Sequence, residues 1–258
     1  MTIKFSPPYT PYSKGLNFAP EQLVNELQNK GYAVLDPRST LDFLGCQASE
    51  ANAWLPAWEH LPIDGFLKDG GRYRRRRHSC FVVEGTQVRQ APHRAHWQPL
   101  EYNALHGGMQ RLFEPMPFEM VQSPAWTALL AKLGQLCTQL KPDVHPWFVE
   151  AHQFRIDTTD GIGRPTPEGA HRDGVDFVFV LLVARHGVKG GESRVFEIEG
   201  PAGQRFTMSE PWTLLMLNDE RVIHESTPIQ PINPEDSEAG YRDTLVLTYR
   251  AKAFQDET

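Results

Sequence analysis

The sequence predicts a mainly β fold with N-terminal helices: a double-stranded β-helix, or cupin-like jelly roll, buttressed by helices. Three observations predict it. Apolar residues recur at helical spacing in the first half of the chain. After Pro142 the pattern changes to short β-rich runs, and clusters of Gly, Pro, Asn and Asp separate those runs. Helices first and strands later imply one domain over 1–258, with a helical part to about 142 and a jelly-roll core over about 143–251.

The elements follow in order. Pro20 suits a first helical turn, Leu23, Val24 and Leu27 form an apolar stripe, and Gly31 supplies the stop. Residues 32–36 read as a strand and 41–59 as a second helix, weakened by Gly45 and Pro56. Residues 71–85 look extended, and 86–117 are rich in His, Pro and Gly without periodicity. Ser123 caps the clearest helix, with Pro124 in its first turn and Trp126, Leu129, Leu130, Leu133 and Leu136 along one face. The β-rich runs cover 144–156, 175–184, 193–198, 212–217, 222–226 and 244–249.

Composition narrows the partners. The 258 residues are 40% hydrophobic, enough for a sizeable core, and the net charge of −6 argues against nucleic acid or an anionic membrane. No apolar run is long enough to span a bilayer, and three scattered cysteines fit a reducing cytoplasm better than a disulfide framework. The expectation is a cytoplasmic protein with a small-molecule substrate. Its oligomeric state stays open, a homodimer being one option.

The chemistry centres on His171 and Asp173. On an extended segment residues two apart share a face, so one imidazole and one carboxylate can reach one ion. A third ligand must come from elsewhere, and His224, 53 residues on, ends a short extended run. Two histidines and a carboxylate on one face of an octahedron is the arrangement of non-haem Fe(II) oxygenases, with positions left for co-substrate and O₂. The His-x-Asp alone arises easily by chance; a cation further along strengthens it. Arg242, 18 residues past His224, leads into the last apolar strand, with Thr244 on the same face. A guanidinium there would meet the distal carboxylate of 2-oxoglutarate with two parallel hydrogen bonds. Arg250 has the same parity and is an alternative anchor; a surface pairing of Arg242 with Asp243 or Glu238 is the plain structural alternative.

Gln153-Phe-Arg-Ile-Asp157, Pro165 to Gly174, Gly190 to Ser193, His224 to Ile229 and Tyr241 to Leu245 together resemble bacterial 2-oxoglutarate/Fe(II)-dependent dioxygenases. The group they resemble is typified by L-isoleucine dioxygenase, which hydroxylates free amino acids and also includes a stress- and biofilm-associated protein. The resemblance covers about 144–251, with an echo at Tyr73-Arg-Arg-Arg-Arg77. It implies His171, Asp173 and His224 as catalytic iron ligands and Arg242 as the co-substrate anchor. It also implies that Gln153 faces the pocket, toward 2-oxoglutarate or substrate. The implied cofactors are Fe(II), 2-oxoglutarate and O₂. The implied reaction hydroxylates an aliphatic C–H of a free L-amino acid, releasing succinate and CO₂. Asp173, present where related halogenating enzymes carry a small residue, favours hydroxylation or desaturation. Arg74, Arg77, Arg155, Glu150 and Glu168 are candidates for holding the substrate. Two other readings remain: a jelly-roll metalloenzyme that does not use 2-oxoglutarate, and a non-catalytic stress- or biofilm-related member of the group.

Other features have plainer readings. Arg74–Arg77 reads as a solvated edge strand, His93-Arg-Ala-His96 as loop, and Gly190-Gly191 as a hairpin turn. The segment 157–169 is a loop that could serve as a lid.

Overall fold

The structure is a computed structural model that describes residues 22–103, 105–200, 202–235 and 238–255, together with the backbone of residues 4–5. Two sheets face each other. The larger has seven strands in the order β2 (Tyr32–Leu35), β10 (Leu214–Asn218), β6 (Phe177–His186), β13 (Tyr241–Ala251), β5 (Trp147–Asp157), β3 (Arg74–Glu84) and β4 (Gln87–Gln90). The smaller has the order β1 (Lys4–Phe5), β9 (Ala202–Phe206), β8 (Ser193–Glu197) and β11 (Val222–Ser226). All these pairs are antiparallel except β1 with β9. A short ribbon joins β7 (Val188–Gly190) to β12 (Ile229–Pro231).

The period-2 alternation of the strands explains the layers. Phe81 and Val83 on β3, Val149 and Ala151 on β5, and Leu245, Leu247 and Tyr249 on β13 pack against α1 (Leu23–Asn29) and α5 (Pro124–Leu140) in one apolar core. Val178 and Leu182 on β6 and Leu215 and Leu217 on β10 face the other way, toward Val195 and Val222 of the small sheet. On β3, β5 and β13 even-numbered residues, among them Arg74, Arg76, Glu150, His152, Arg242 and Thr244, share that inter-sheet face.

The structure corrects several expectations. The helical first part of the chain also supplies β2, β3 and β4 to the large sheet, so helices and strands are not segregated at residue 142. The helix expected over 41–59 is broken: α2 (Pro37–Leu44) stops at Gly45, whose φ is 68°, α3 (Ala48–Asn52) follows, and Leu55–Trp58 is a 3₁₀ turn containing Pro56. Asp36, accepting a hydrogen bond from Ser39 N, starts α2 earlier than the apolar pattern suggested. Pro20 lies outside the described residues. Ser123 caps α5 and Pro124 opens it, as expected; α4 (Phe118–Val121) precedes it. Gly190-Gly191 is not a hairpin turn. It carries the chain from β7 in the ribbon to β8 in the small sheet, with both residues at positive φ.

Candidate metal centre and pocket

His171 and His224 are brought together by the backbone. Each donates its amide N–H to the other's carbonyl, at 3.0 and 2.9 Å, forming an isolated antiparallel bridge between β11 and the loop before β6. Residues opposed in this way project to the same side, and the two imidazoles lie 4.6 Å apart between centroids. Asp173, two residues on, places Oδ1 3.8 Å from His171 Nε2 and Oδ2 3.6 Å from His224 Nε2. These separations are too long for direct hydrogen bonds. The three donor atoms therefore surround a gap, and the set could hold a metal ion.

The loop that carries Asp173 is fixed by Gly174, whose close turn the sequence suggests, and by Asp219, Gln255 and Gln98, which sequence reasoning missed. The buried Asp219 carboxylate accepts the amides of Asp173, Gly174 and Val175 at 2.8–3.1 Å. Gln255 donates to the Asp173 and Gly174 carbonyls. Gly174 has φ 75°, and a Cβ there would lie 2.4 Å from the Tyr102 ring, so only glycine fits this close turn. Gln98 donates to Asp173 Oδ1 at 3.2 Å and is itself held by Arg111 and Asn103. His171 Nδ1 lies 2.9 Å from the Gly169 carbonyl and donates to it, which leaves the Nε2 lone pair for a ligand, with Glu168 Oε1 3.4 Å from that nitrogen. Burial opposes charge on His171, but Asp173 and Glu168 outweigh it and raise its pKa. Burial, then the neighbouring His171, push His224 well below the usual range. Burial and the Asp173 charge bring Asp219 up to about 7.

From these three residues a cavity of about 130 Å³ runs between the sheets and opens to solvent. Arg242 and Thr244 line it. Arg242 is 3% exposed, and its Nε and Nη2 are buried without a partner among the described residues. Burial, then Arg185, lower its pKa to about 10. The surface pairing is thereby overturned, because Asp243 turns to the opposite face and binds Arg155 at 2.6 and 2.8 Å.

That alternation also decides the other candidates. Arg74 and Glu168 line the pocket, as does Glu150. Gln153 and Arg155, with odd numbers on β5, do not. Gln153 is fully buried on the helical side, where it donates to the Ala57 carbonyl and lies 3.6 Å from the Met120 sulfur. Arg155 is spent on Asp243 and stacks on Tyr241. Arg77 turns away from the pocket toward Glu114, and Arg250 binds the carbonyls of Ala253 and Phe254. The solvated edge expected of Arg74–Arg77 is not observed: β5 pairs with one side of this stretch and residues 62–64 bond to the other. Arg75 and Arg77 face Asp157 and Glu114, but Arg74 and Arg76 are buried in the pocket. Asp64 makes that burial tolerable, at 2.7 Å from Arg74 and 4.0 Å from Arg76. Pro165, Thr166 and Glu168 of the 157–169 loop complete the wall, and Thr166 is tied to Ser226 by two hydrogen bonds.

A second cluster was unforeseen: His78, His96, Glu150 and His152, all buried, with donor atoms close enough to hold a metal ion. His96 does lie in a loop, yet it reaches Glu150 Oε2 at 2.5 Å; His78 reaches the same oxygen at 3.0 Å. Burial holds His96 down at about 4 and His152 well below its usual value. It would also raise Glu150, but His96 and His78 outweigh it and lower the carboxyl.

The family model described as 2OG-Fe dioxygenase matches residues 55–248. The crystal structure of a bsmA homolog (Mpe_A2762) from Methylobium petroleophilum PM1 is 51% identical, with a TM-score of 0.88 over 93% of this chain and 96% of that one. IDO from Bacillus thuringiensis shares the fold at 18% identity and TM-score 0.69, over 94% of this chain and 100% of that one. The Fe(II)/(alpha)ketoglutarate-dependent dioxygenase TqaL does so at 17% identity and TM-score 0.67, over 91% and 90%. Comparison with curated protein sequences gives no significant match. Among the described residues, no helix is long and apolar enough to cross a membrane.

Proposed function

The chain belongs to the 2OG-Fe dioxygenase family, and we propose that it oxidises an aliphatic C–H of a free L-amino acid at an iron held by His171, Asp173 and His224. As a member it is a dioxygenase whose cofactors are Fe(II), 2-oxoglutarate and O₂. The observation that carries the reading is Arg242: a buried guanidinium with two nitrogens unpartnered among the described residues, in the same pocket as an open His-Asp-His gap. The donor set fits Fe(II), with two imidazoles and one carboxylate, and the orphaned cation fits the distal carboxylate of 2-oxoglutarate.

When bound, the iron would activate O₂, which is the oxidant; 2-oxoglutarate would give up two electrons as it becomes succinate and CO₂, and the substrate C–H the other two. The chain's own residues do the rest. Gly169 fixes the His171 tautomer, Gln98 orients Asp173, and the Asp219 clamp holds the loop beneath both. Arg242 and Thr244 orient the co-substrate from the far strand. The walls exclude water and aim the substrate's C–H bond.

The motif resemblance to the amino-acid hydroxylase group supports the substrate class, and the single-domain reading over 1–258 goes with it. The test is substrate-dependent succinate formation across the proteinogenic L-amino acids, in the parent and in His171→Ala and Asp173→Ala. At least one amino acid should stimulate the parent, and neither variant should respond. Undiminished turnover in both variants would overturn the ligand assignment; a parent that no amino acid stimulates would overturn the substrate class.

A further inference from the structure

The pocket has a second polar end that neither the triad nor Arg242 uses. Arg76 and Arg111 are 3% and 2% exposed, both line the pocket, and the Nε of each is buried without a partner among the described residues. Arg76 is held rigidly. Its guanidinium lies 3.9 Å from the Phe113 ring centroid and 4.5 Å from that of Phe154, and Nη2 sits 2.8 Å from His152 Nδ1. A guanidinium only donates, so His152 Nδ1 accepts and the ring proton sits on Nε2, which lies 3.8 Å from Glu150 Oε2. His96 Nδ1 and His78 Nε2 donate to that same oxygen. Two imidazole donors, His96 and His78, thus take one oxygen of Glu150 and favour its anion, with His152 stacked beside them, which leaves Oε1 for a ligand.

The same tautomer argues against a metal in this cluster. Binding through His152 Nε2 would move its proton to Nδ1, facing an arginine N–H, and two donors would then oppose each other.

We propose that this end is the receptor for the head group of a zwitterionic α-amino acid: Glu150 Oε1 takes the ammonium, and the Arg76 and Arg111 edges take the carboxylate. The proposal rests on the amino-acid reading above and assigns it residues. Charge segregation selects the class. With Arg242 committed to 2-oxoglutarate, the guanidiniums of Arg76 and Arg111 lie on one side of this end and the Glu150 carboxylate on the other, while Arg74 is paired with Asp64 behind the wall. The end is divided into positive and negative parts, which suits a ligand that carries one charge of each sign. One imidazole separates the Arg76 fork from the Glu150 carboxylate, so a single head group can span both. The wall beyond is apolar (Phe154, Ile156, Val175, Val180 and Val246) and fits an aliphatic side chain.

The test is binding to the anaerobic Fe(II)- and 2-oxoglutarate-loaded protein, followed through the visible charge-transfer absorption of that complex. The probes are the proteinogenic L-amino acids and, for the tightest binder, the matching carboxylic acid without its amino group. Glu150→Gln should weaken the amino acid by ~10-fold or more and leave the des-amino acid unchanged. Arg76→Lys, which keeps charge but loses the fork, should weaken both probes. Retained charge-transfer absorption certifies the fold and the iron and 2-oxoglutarate sites in each variant. If Glu150→Gln loses that absorption, Arg76→Lys decides, and unchanged affinity for both probes overturns the proposal. Parental binding of the amino acid by Glu150→Gln, or equal loss of both probes, also overturns it. If the loaded parent binds no amino acid, the substrate class falls and this receptor with it, while the iron and 2-oxoglutarate assignment stands.

Discussion

Two groups of histidines and one carboxylate lie in the same pocket, and they differ in how tightly they have closed. In the His171, Asp173 and His224 group the carboxylate stays 3.6–3.8 Å from each imidazole nitrogen, while Gly169 holds the His171 ring, Gln98 holds Asp173 and the backbone bridge fixes His224. In the His78, His96, Glu150 and His152 group one carboxylate oxygen, Oε2, already takes imidazole donors at 2.5 and 3.0 Å, so the rings close on it directly. A group held apart from outside needs something in the middle; a group closed on itself does not. Composition alone would rank the four-residue cluster as the richer metal site. Hydrogen bonding favours the three-residue one.

The strongest way to break this comparison is metal content. After loading with Fe(II) and desalting, the parent and His78→Gln should each retain about one iron per chain by elemental analysis. His171→Ala should retain almost none, a loss of affinity of about 100-fold or more. The opposite pattern would exchange the roles of the two groups. The next effect is on co-substrate. Arg242→Gln should raise the 2-oxoglutarate concentration for half-saturation by ~10- to 100-fold, because a charged fork is lost where a neutral amide cannot replace it.

A pH titration sharpens the closed group. His96 faces Glu150, His78, His152, Arg76 and Arg111, and burial lowers its pKa from 6.5 to about 4. Its folded-state value is depressed, so the unfolded chain takes up the proton first. The neutral ring's contribution is complete above pH 6.5 and is lost as the pH falls toward 4, up to about 3 kcal/mol across that window. Melting of the metal-free protein should fall over that range, and His96→Gln should flatten the fall. The smallest effect concerns a residue outside both groups. Gln153→Leu should leave the half-saturating 2-oxoglutarate and amino-acid concentrations within about twofold of the parent; a large rise would restore Gln153 to the pocket.

Much of this is legible in the sequence, and the misses share a cause. His-x-Asp, the distant His224 and Arg242-x-Thr244 are readable because each relies on period-2 spacing within one short segment. The bridge that unites them needs only one pairing, of His171 with His224. The four-residue cluster draws on β3, the loop before residue 98 and β5, so it exists only once β3 pairs with β5 in the register His78 opposite His152. No local pattern encodes that register. Gln153 and Arg155 are a different failure. Glu150 and Gln153 cannot share a face of one strand, and parity along the sequence is enough to separate them. Arg76 shows the reverse: parity allows two of the four arginines inward, but Asp64, which makes their burial tolerable, lies ten residues before Arg74 in an irregular segment.

The position of β13 also governs when the site can come into being. Tyr241–Ala251 is the last of the described strands to leave the ribosome, yet it pairs with β5 on one side and β6 on the other. Until it is made, the nascent chain holds two half-sheets with open edges, and the arginine that faces the co-substrate is still in the synthesis tunnel. Iron and 2-oxoglutarate can therefore meet a finished pocket only once β13 has emerged and paired, and the waiting edges are where a folding helper would be most needed.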